Sequence, residues 1–335
     1  MTGMNETNQA ILLLTVRFGA SKADGIAPLG PAEYGQLASW LHRKDHEPSE
    51  LLHHPEEVLF GWSDPTGRIT TDRIKGLLNR GMAMGISLEK WLGSGLWILT
   101  RADSDYPDSL RKHLGQGAPS VLFGAGNRSL LHVGGLAMVG TRNITEEDRL
   151  FGEMIAKQAA SEGFNVVSGG ARGIDDIAMR SALEVEGTAL AILSCGLLRA
   201  SLAKRWRTAI RRDRLCLVST FYPEAGFQIG NAMARNKYIY CLSDVALVVQ
   251  SAKGEGGTWA GATENLKHQW AKLFVRSESQ SDGLEALIGL GAMPLSIPSD
   301  SSRTGEWLRA LLTARQPAKA GSSTESGQLP LDLYP

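Results

Sequence analysis

The spacing of apolar residues changes near Trp97, and a different pattern lies on each side of it. Before that point, short amphipathic segments carry apolar residues at helical spacing, as at Ile74, Leu77 and Leu78, and β-branched runs are few. The pattern predicts a small all-helical domain over residues 1–97. The predicted helices are Ala10–Phe18, Pro31–Leu41, Ser49–Phe60, Thr70–Met84 and Ser87–Leu92.

Two glycines, Gly81 and Gly85, lie near the ends of predicted helices in this region. Glycine turns between helices can present backbone amides to DNA phosphates, as in domains of the SAM or helix-hairpin-helix kind. A helical packing module without DNA contacts fits the same pattern equally well. Both interpretations remain open.

After Trp97, short apolar runs bounded by turn residues alternate with helical stretches. The predicted strands are Trp97–Thr100, Ser120–Gly124, Leu136–Gly140, Asn165–Ser168, Ala189–Leu193, Leu215–Ser219, Val245–Gln250 and Leu273–Val275. The clearest helices between them are Glu146–Gly163, Asp175–Glu186, Leu202–Arg212, Ala232–Leu242 and Ala260–Trp270. Such alternation predicts an α/β domain over residues 98–299 with a parallel sheet covered on both faces. Residues 300–335 are polar, which predicts one short helix, Glu306–Ala314, and a disordered tail.

Small residues follow two of the predicted strands at the point where a helix begins. Gly140 ends the run LAMVG, and Ser168 and Gly169 follow Val166 and Val167. In a parallel sheet, that junction offers backbone N–H groups and the positive end of a helix to phosphates. Arg142 and Arg172 lie just beyond the two turns and supply planar cationic donors. The pattern predicts a site for phosphates or for a nucleic-acid backbone.

A third loop should reach the same edge of the sheet. Arg235 and Lys237 lie near it and would complete a cationic pocket with the two arginines already named. Asn236 between them could hydrogen-bond a phosphate or a sugar. Each arginine alone would more often be a solvated surface residue. Their joint placement at strand ends favours a binding site for Arg142, Arg172 and Arg235.

Composition limits what this site can do. The chain has 335 residues and a formal net charge of zero, so a nucleic-acid contact must come from a local patch. The three cysteines, Cys195, Cys216 and Cys241, form no CxxC pair, which favours free thiols in a reducing compartment over a zinc ribbon. No secretory start or membrane-length apolar run occurs, so we expect a cytoplasmic protein.

Catalytic chemistry has little support in the sequence. No histidine lies within the central glycine-rich stretches, and no GxxxxGK[ST] phosphate loop occurs. We therefore predict a protein that is not an enzyme, with no catalytic residue, no metal site and no cofactor.

Four stretches, in order, resemble the DprA/Smf family of DNA-processing proteins. They begin at Tyr106 (YPDSLRKHL), Leu136 (LAMVGTRNIT), Val166 (VVSGGARGIDD) and Met233 (MARNKYIYC), and GLEALIGLGAMPL from Gly283 adds a fifth match. The resemblance covers residues 100–297 and implies an extended Rossmann-like fold. The positions that match the family's site-forming motifs are Gly140, Arg142, Ser168, Gly169, Arg172, Gly173, Asp175, Arg235, Asn236 and Gly257; we add Lys237 and Thr258 as candidate contacts. Asp175 opens a predicted helix, so its plainer role is an N-cap.

The resemblance also implies partners. Members bind single-stranded DNA, form homodimers and hand the strand to the RecA recombinase in transformation and recombination. A role in defence against foreign DNA fits this chain equally well. QLPLDLY, from Gln328 to Tyr334, resembles peptides that dock in a bacterial sliding clamp, although an inert tail fits the same segment.

Departures from the family pattern leave some roles open. Glu146, Glu147 and Asp148 could reshape one wall of the pocket, and Met179 stands where the family usually has His. Trp259 could stack on a base or belong to the core. The alternative function is a nucleotide sensor or a phosphoribohydrolase-like enzyme. Gly256–Thr258 resembles the motif of cytokinin-releasing phosphoribohydrolases, but Gly261 stands at its acidic position and Glu264 lies one turn later.

Overall fold

The structure is a computed structural model that describes residues 4–19, 25–277 and 281–295. The predicted helix Glu306–Ala314 and the clamp-like segment Gln328–Tyr334 lie outside the described residues. Among the described residues, no helix combines the length and the apolar character needed to cross a bilayer.

Helices alone form the chain before Trp97 in its described part. They are α1 (Glu6–Thr15), α2 (Pro31–Arg43), α3 (Pro55–Val58), α4 (Thr71–Leu78) and α5 (Gly81–Gly93), with a 3-10 turn at Pro48–Leu52. Local sequence explains their starts: the Asn5 side chain accepts the backbone N–H of Asn8, and that of Thr70 accepts the N–H of Arg73.

Three predictions for this region are wrong. The predicted helix Thr70–Met84 is two helices, because the buried Arg80 side chain turns back to the carbonyls of Leu77 and Leu13 and closes the end of α4. Gly85 is no turn, since it lies inside α5, whereas Gly81 does begin that helix. The predicted helix Ser49–Phe60 is the 3-10 turn followed by the single turn of α3.

In the described part of the chain, nine strands form one sheet. They are β1 (Trp97–Thr100), β2 (Val121–Gly126), β3 (Leu136–Gly140), β4 (Val166–Ser168), β5 (Ala189–Ile192), β6 (Leu215–Ser219), β7 (Val245–Gln250), β8 (Lys272–Arg276) and β9 (Met293–Leu295), in the order β1-β2-β6-β5-β4-β3-β7-β8-β9. The predicted α/β class with a Rossmann-like, mostly parallel sheet is confirmed. The antiparallel pairings are those of β2 with β1 and with β6. The short edge strand β9 was missed.

Among the described residues, eight helices accompany the sheet. They are α6 (Asp108–Leu114), α7 (Glu146–Ser161), α8 (Ile174–Glu184), α9 (Leu197–Ser201), α10 (Lys204–Arg211), α11 (Ile229–Cys241), α12 (Gly256–His268) and α13 (Asp282–Gly289). The predicted helix Leu202–Arg212 is α10, which begins two residues later than predicted because its N-cap, Ala203, has an extended backbone. Helix α12 begins four residues before its predicted start, so that Gly257 and Thr258 lie in its first turn.

The order of the strands places a crevice beside β3. From β3 the chain proceeds through β4, β5 and β6 to one side, whereas β7, β8 and β9 lie on the other. Such a reversal leaves an opening at the carboxyl ends of the two central strands, where open α/β sheets bind ligands. Gly140 at the end of β3 is paired with Gln250 at the end of β7, and the N–H of Thr141 donates to the Gln250 carbonyl at 3.1 Å.

The helices before Trp97 share a hydrophobic cluster with the sheet. Trp91 of α5 is fully buried, and its ring meets that of Phe123 in β2 edge to face at 5.2 Å. Its Nε1 donates to Glu224 at 2.9 Å, and Lys90 forms an ion pair with the same carboxylate. These contacts pack the helical region against the sheet. The domain boundary at residues 97/98 stays a prediction.

Candidate functional site

Two adjoining cavities lie at the carboxyl ends of β3, β4, β5 and β7. The first, of about 720 Å³, is bounded by the turn after β3, by one face of α11 and by the first turn of α12. The second, of about 480 Å³, is bounded by residues 169–172 after β4 and residues 193–195 after β5. Arg142, Ala171, Phe227 and Arg235 line both cavities, so the two form one divided cleft.

A buried arginine lies where the two cavities meet. Arg235 is only 6% exposed, and its Nη1 lies 3.8 Å from the Oδ2 of Asp175, which is also buried. Both Nε and Nη1 of Arg235 lack a hydrogen-bond partner among the described residues. A buried cation with unused donors is costly unless an anion completes it. The floor of the cleft therefore carries two guanidinium donor atoms that no described residue uses.

Asp175 supports this arginine and does not cap its helix. Gly173, with φ of 95°, is the N-cap of α8, and Asp175 follows within the first turn. Its Oδ2 accepts the backbone N–H of Ala171 at 3.4 Å. Burial raises the pKa of the Asp175 carboxyl, and the charge of Arg235 opposes that rise. The N-cap prediction for Asp175 is wrong because the chain needs a left-handed residue at the turn itself.

Gly169 makes room for the guanidinium. A Cβ at this position would lie 1.3 Å from Nη1 of Arg235 and 2.5 Å from Oδ2 of Asp175. The Arg235 side chain can thus occupy the floor of the cleft only because residue 169 has no side chain.

Replacing Gly169 with alanine is therefore expected to push Arg235 away from Asp175. We expect the free energy of unfolding to fall by about 1–3 kcal/mol, the usual cost of overpacking. Urea denaturation measures this loss. The matched control is Gly226→Ala, where an added Cβ meets no atom within 4 Å. Wild-type stability in Gly169→Ala would contradict the placement of the guanidinium.

Eight of the predicted site residues come together in this cleft: Gly140, Arg142, Gly169, Arg172, Arg235, Asn236, Gly257 and Thr258. Asn236 uses its amide nitrogen to donate to the Gly257 carbonyl at 2.8 Å, and so fixes α11 against α12. The first turn of α12 then offers its backbone N–H groups and positive helix end at one wall.

Three predicted residues do not line either cavity. Ser168 is fully buried, and its Oγ donates to the Met138 carbonyl at 2.7 Å, which joins β3 to β4. Gly173 shapes the turn before α8. Lys237 of α11 has its Nζ 5.3 Å from the Tyr238 ring centroid.

One wall of the first cavity is apolar and was not predicted from the sequence. Phe227, Ile229 and Met233 line the first cavity although they are 56%, 74% and 38% exposed. The Arg142 guanidinium lies 5.4 Å from the Phe227 ring centroid, and this contact forms the partition between the cavities. The sequence signal for this wall was the run GFQIG, which overlaps the start of α11. Its apolar residues follow neither helical nor strand spacing, so no pattern predicts that they are buried.

The departures from the family pattern lie mostly outside the cleft. Asp148 and Glu147 are in the first turn of α7 and pair with the buried Arg276 of β8, so they form no wall of the cavities. Trp259, in the first turn of α12, is half-buried and packs against the core. Met179 is buried in the core, and Cys195 is half-buried in the second cavity.

Sequence comparisons find one family. The sequence model described as DNA recombination-mediator protein A matches residues 97–303. Protein Smf of Escherichia coli is 31% identical over 215 residues, which are 63% of this chain and 57% of that protein. DNA processing protein DprA of Bacillus subtilis is 29% identical over 140 residues, which are 41% of this chain and 47% of that protein. The chain thus spans about half the length of the curated relatives it matches.

Solved structures share the fold. DNA processing protein A (DprA) from Streptococcus pneumoniae superimposes with a TM-score of 0.68 at 19% identity, over 93% of this chain and 99% of that one. DNA processing protein A from Helicobacter pylori, described with its single-stranded DNA binding mode, superimposes with a TM-score of 0.50 at 24% identity, over 66% of this chain and 97% of that one.

Proposed function

This chain belongs to the DNA recombination-mediator protein A family, also called DprA/Smf, and from that premise we propose that it binds single-stranded DNA without reacting with it. The guanidinium of Arg235 on the floor of the cleft carries the proposal, because it is buried and its Nε and Nη1 have no hydrogen-bond partner among the described residues. It would receive one phosphate of the strand, while Arg142 and the exposed Arg172 bind the phosphates on either side.

In this proposal the bases of the strand lie on the apolar wall. Phe227 presents an exposed ring at the partition, and Ile229 and Met233 extend that surface along α11. A strand with unstacked bases could lay them on this wall while its backbone follows the arginines. Stacking on an aromatic ring tolerates every base, so binding should depend little on sequence and strongly on salt.

Binding without catalysis is the simpler chemistry for these residues. No histidine lines either cavity in the part of the chain that the structure describes. The phosphoribohydrolase alternative needs an acid near the first turn of α12. An added Cβ at Gly261 would lie 3.0 Å from the Cβ of Asn236, and Glu264 is not among the described cavity-lining residues. A nucleotide sensor would use the same anion site, and the titration below distinguishes it.

The wider role rests on family membership. We propose that the protein acts in the cytoplasm as a homodimer that protects incoming strands and hands them to RecA in transformation and recombination. The relatives' names, DNA processing protein and recombination mediator, support the processing role. Defence against foreign DNA would use the same cleft. A clamp contact through residues 328–334 stays a proposal.

Anisotropy titration of a labelled oligo-dT at several salt concentrations tests the binding function. We expect the affinity to fall with salt, and Arg142→Ala and Arg172→Ala each to reduce the slope of log K against log salt by about 0.7, the value for one lost phosphate contact on a single strand. Arg43→Ala, at an exposed residue of α2, is the matched control. Saturable binding of a mononucleotide with no strand binding would replace this proposal by the sensor.

Phe227→Ala is expected to weaken strand binding with little change in folding. Loss of one stacked base corresponds to about 1–3 kcal/mol, or about 5- to 150-fold in affinity. The side chain is mostly exposed, so thermal unfolding should be unchanged. Phe60→Ala removes an even more exposed phenylalanine from the helical region and should leave the affinity unchanged. Equal affinities in the two variants would remove Phe227 from the site.

A further inference from the structure

A second cationic surface lies on α9 and α10, outside the cleft. We call it the basic ridge and define it by its exposed cations, Arg199, Lys204, Arg205, Arg207, Arg211 and Arg212. Helix α10 packs on the core through the buried Trp206, and Ala209 and Ile210 pack against the same core cluster. Lys204, Arg207 and Arg211 follow each other at steps of three and four residues. They therefore form one row on the face opposite the core.

Two features of the ridge cations oppose helix formation in α10. The first turn of α10 holds no acidic residue and begins with Lys204 and Arg205, where the positive helix end disfavours cations. Arg207 and Arg211 are like charges one turn apart, which also opposes helix formation. These two features cost α10 stability, whereas Arg211 in its last turn interacts favourably with the helix dipole, so helix stability does not explain the row as a whole.

Acidic neighbours neutralise only part of the ridge. Arg205 pairs with Asp176 at 3.2 Å, and Arg212 lies 3.5 Å from Glu186. Within the part of the chain that the structure describes, Lys204, Arg207 and Arg211 have no ion-pair partner. Three neighbouring cations thus remain available to an external polyanion.

The ridge begins beside the second cavity. Ser194 and Cys195 line that cavity, and α9 starts two residues later at Leu197. On the other side, Arg205 bonds to Asp176 in the first turn of α8, four residues after the cavity-lining Arg172. A strand that leaves the cleft through the second cavity therefore meets α10 directly.

We propose that the basic ridge continues the path of the single strand, and that Lys204, Arg207 and Arg211 bind its phosphates beyond the cleft. This inference rests on the proposed function. The ridge contacts only the backbone, because Trp206 is buried and offers no ring for stacking. The contact is therefore ionic and independent of sequence, and it is reached only by strands longer than those that fill the two cavities.

A length series with charge variants tests the ridge. The ridge variant is Lys204→Gln, Arg207→Gln and Arg211→Gln together, and the control variant is Arg43→Gln, Lys44→Gln and Lys112→Gln. The control removes the same charge from exposed cations outside the cleft and the ridge. Affinities for an oligo-dT of about 4 nucleotides and one of about 20 nucleotides are measured by anisotropy against salt. Circular dichroism checks that every variant is folded.

The ridge variant should bind the short strand as the wild type does. For the long strand, we expect about 100-fold weaker binding at 0.1 M salt and a slope reduced by about 2, as three lost phosphate contacts imply. The control should match the wild type at both lengths. Unchanged affinity and slope of the ridge variant for the long strand overturn the ridge and leave the cleft in place. If the wild type binds neither strand, both proposals fail. Loss in the ridge variant with none in Arg142→Ala and Arg172→Ala would move the site to the ridge.

Discussion

Arg235→Ala is expected to lower the free energy of unfolding by about 3–5 kcal/mol, the cost of removing one partner from a buried ion pair. Truncation leaves the Asp175 carboxyl buried beside an empty space, with no cation to offset its desolvation. The prediction from sequence alone would be loss of strand binding with an intact fold. Burial of the side chain makes Arg235 a structural residue as well as a candidate phosphate ligand.

The pH dependence of this loss identifies its cause. Burial raises the pKa of Asp175 in the folded state above its unfolded value, and removal of Arg235 removes the charge that opposes the rise. Below the unfolded pKa of Asp, Asp175 is protonated in both states. The free energy of unfolding lost in Arg235→Ala should therefore be smallest there. It should grow as the pH rises through the folded pKa and the carboxyl must ionise.

Urea denaturation at several pH values measures both effects. Adding Asp175→Asn to Arg235→Ala removes the uncompensated carboxylate and should recover much of the stability near neutral pH. Arg172→Ala is the control, because this arginine is exposed and its loss should change stability by less than about 0.5 kcal/mol. A pH-independent loss in Arg235→Ala would show that Asp175 is not the group left unpaired.

Trp91→Ala is expected to cost about 3–5 kcal/mol, the range for truncating a buried tryptophan. Its ring is 0% exposed and contacts Phe123 of the sheet, and it stacks on Phe18 at a centroid distance of 6.2 Å. The variant also leaves Glu224 without the Nε1 donor. Because this cluster joins the helical region to the sheet, we expect both to unfold in one transition at lower denaturant.

Denaturation followed by circular dichroism checks this expectation. Leu92→Ala, at the next residue of α5, removes a half-exposed side chain and should change stability little. Trp91→Phe keeps most of the packing and removes the N–H donor, so its cost should be nearer 1 kcal/mol. Two separate transitions in the wild type would show that the helices fold independently of the sheet.

Strands and their ends could be predicted because their sequence signal is local. Continuous apolar runs such as Leu136–Gly140 and Val245–Gln250 are buried on both faces, and their predicted bounds match the structure. Pairing direction has no such signal, since the antiparallel strand β2 is as buried as the parallel strands of the sheet. The edge strand β9 was missed because three residues that include Pro294 carry no recognisable alternation.

The site was predictable where a residue's position is tied to the end of a strand. Gly140, Arg142, Gly169 and Arg172 follow strands directly, and the fold carries them to one edge. Residues on α11 depend on the rotation of the helix, which a single sequence does not fix. Of two residues one turn apart on this helix, the predicted Lys237 lines neither cavity, whereas Met233, which was not predicted, lines the first. Burial of Arg235 follows from packing against Gly169 and could not be inferred from spacing.

The basic ridge concentrates positive charge in one segment of the chain. Residues 199–214 hold seven Lys and Arg against one Asp, a net charge of +6 in a chain whose total is zero, so all other residues together carry −6. A polyanion attracts this segment more strongly than the rest of the chain, so we expect encounters in which α10 leads to be favoured. Such steering acts over about one Debye length, roughly 10 Å at 0.1 M salt. The association rate would then depend more on the orientation of the molecule during its encounter with the polyanion than on overall attraction.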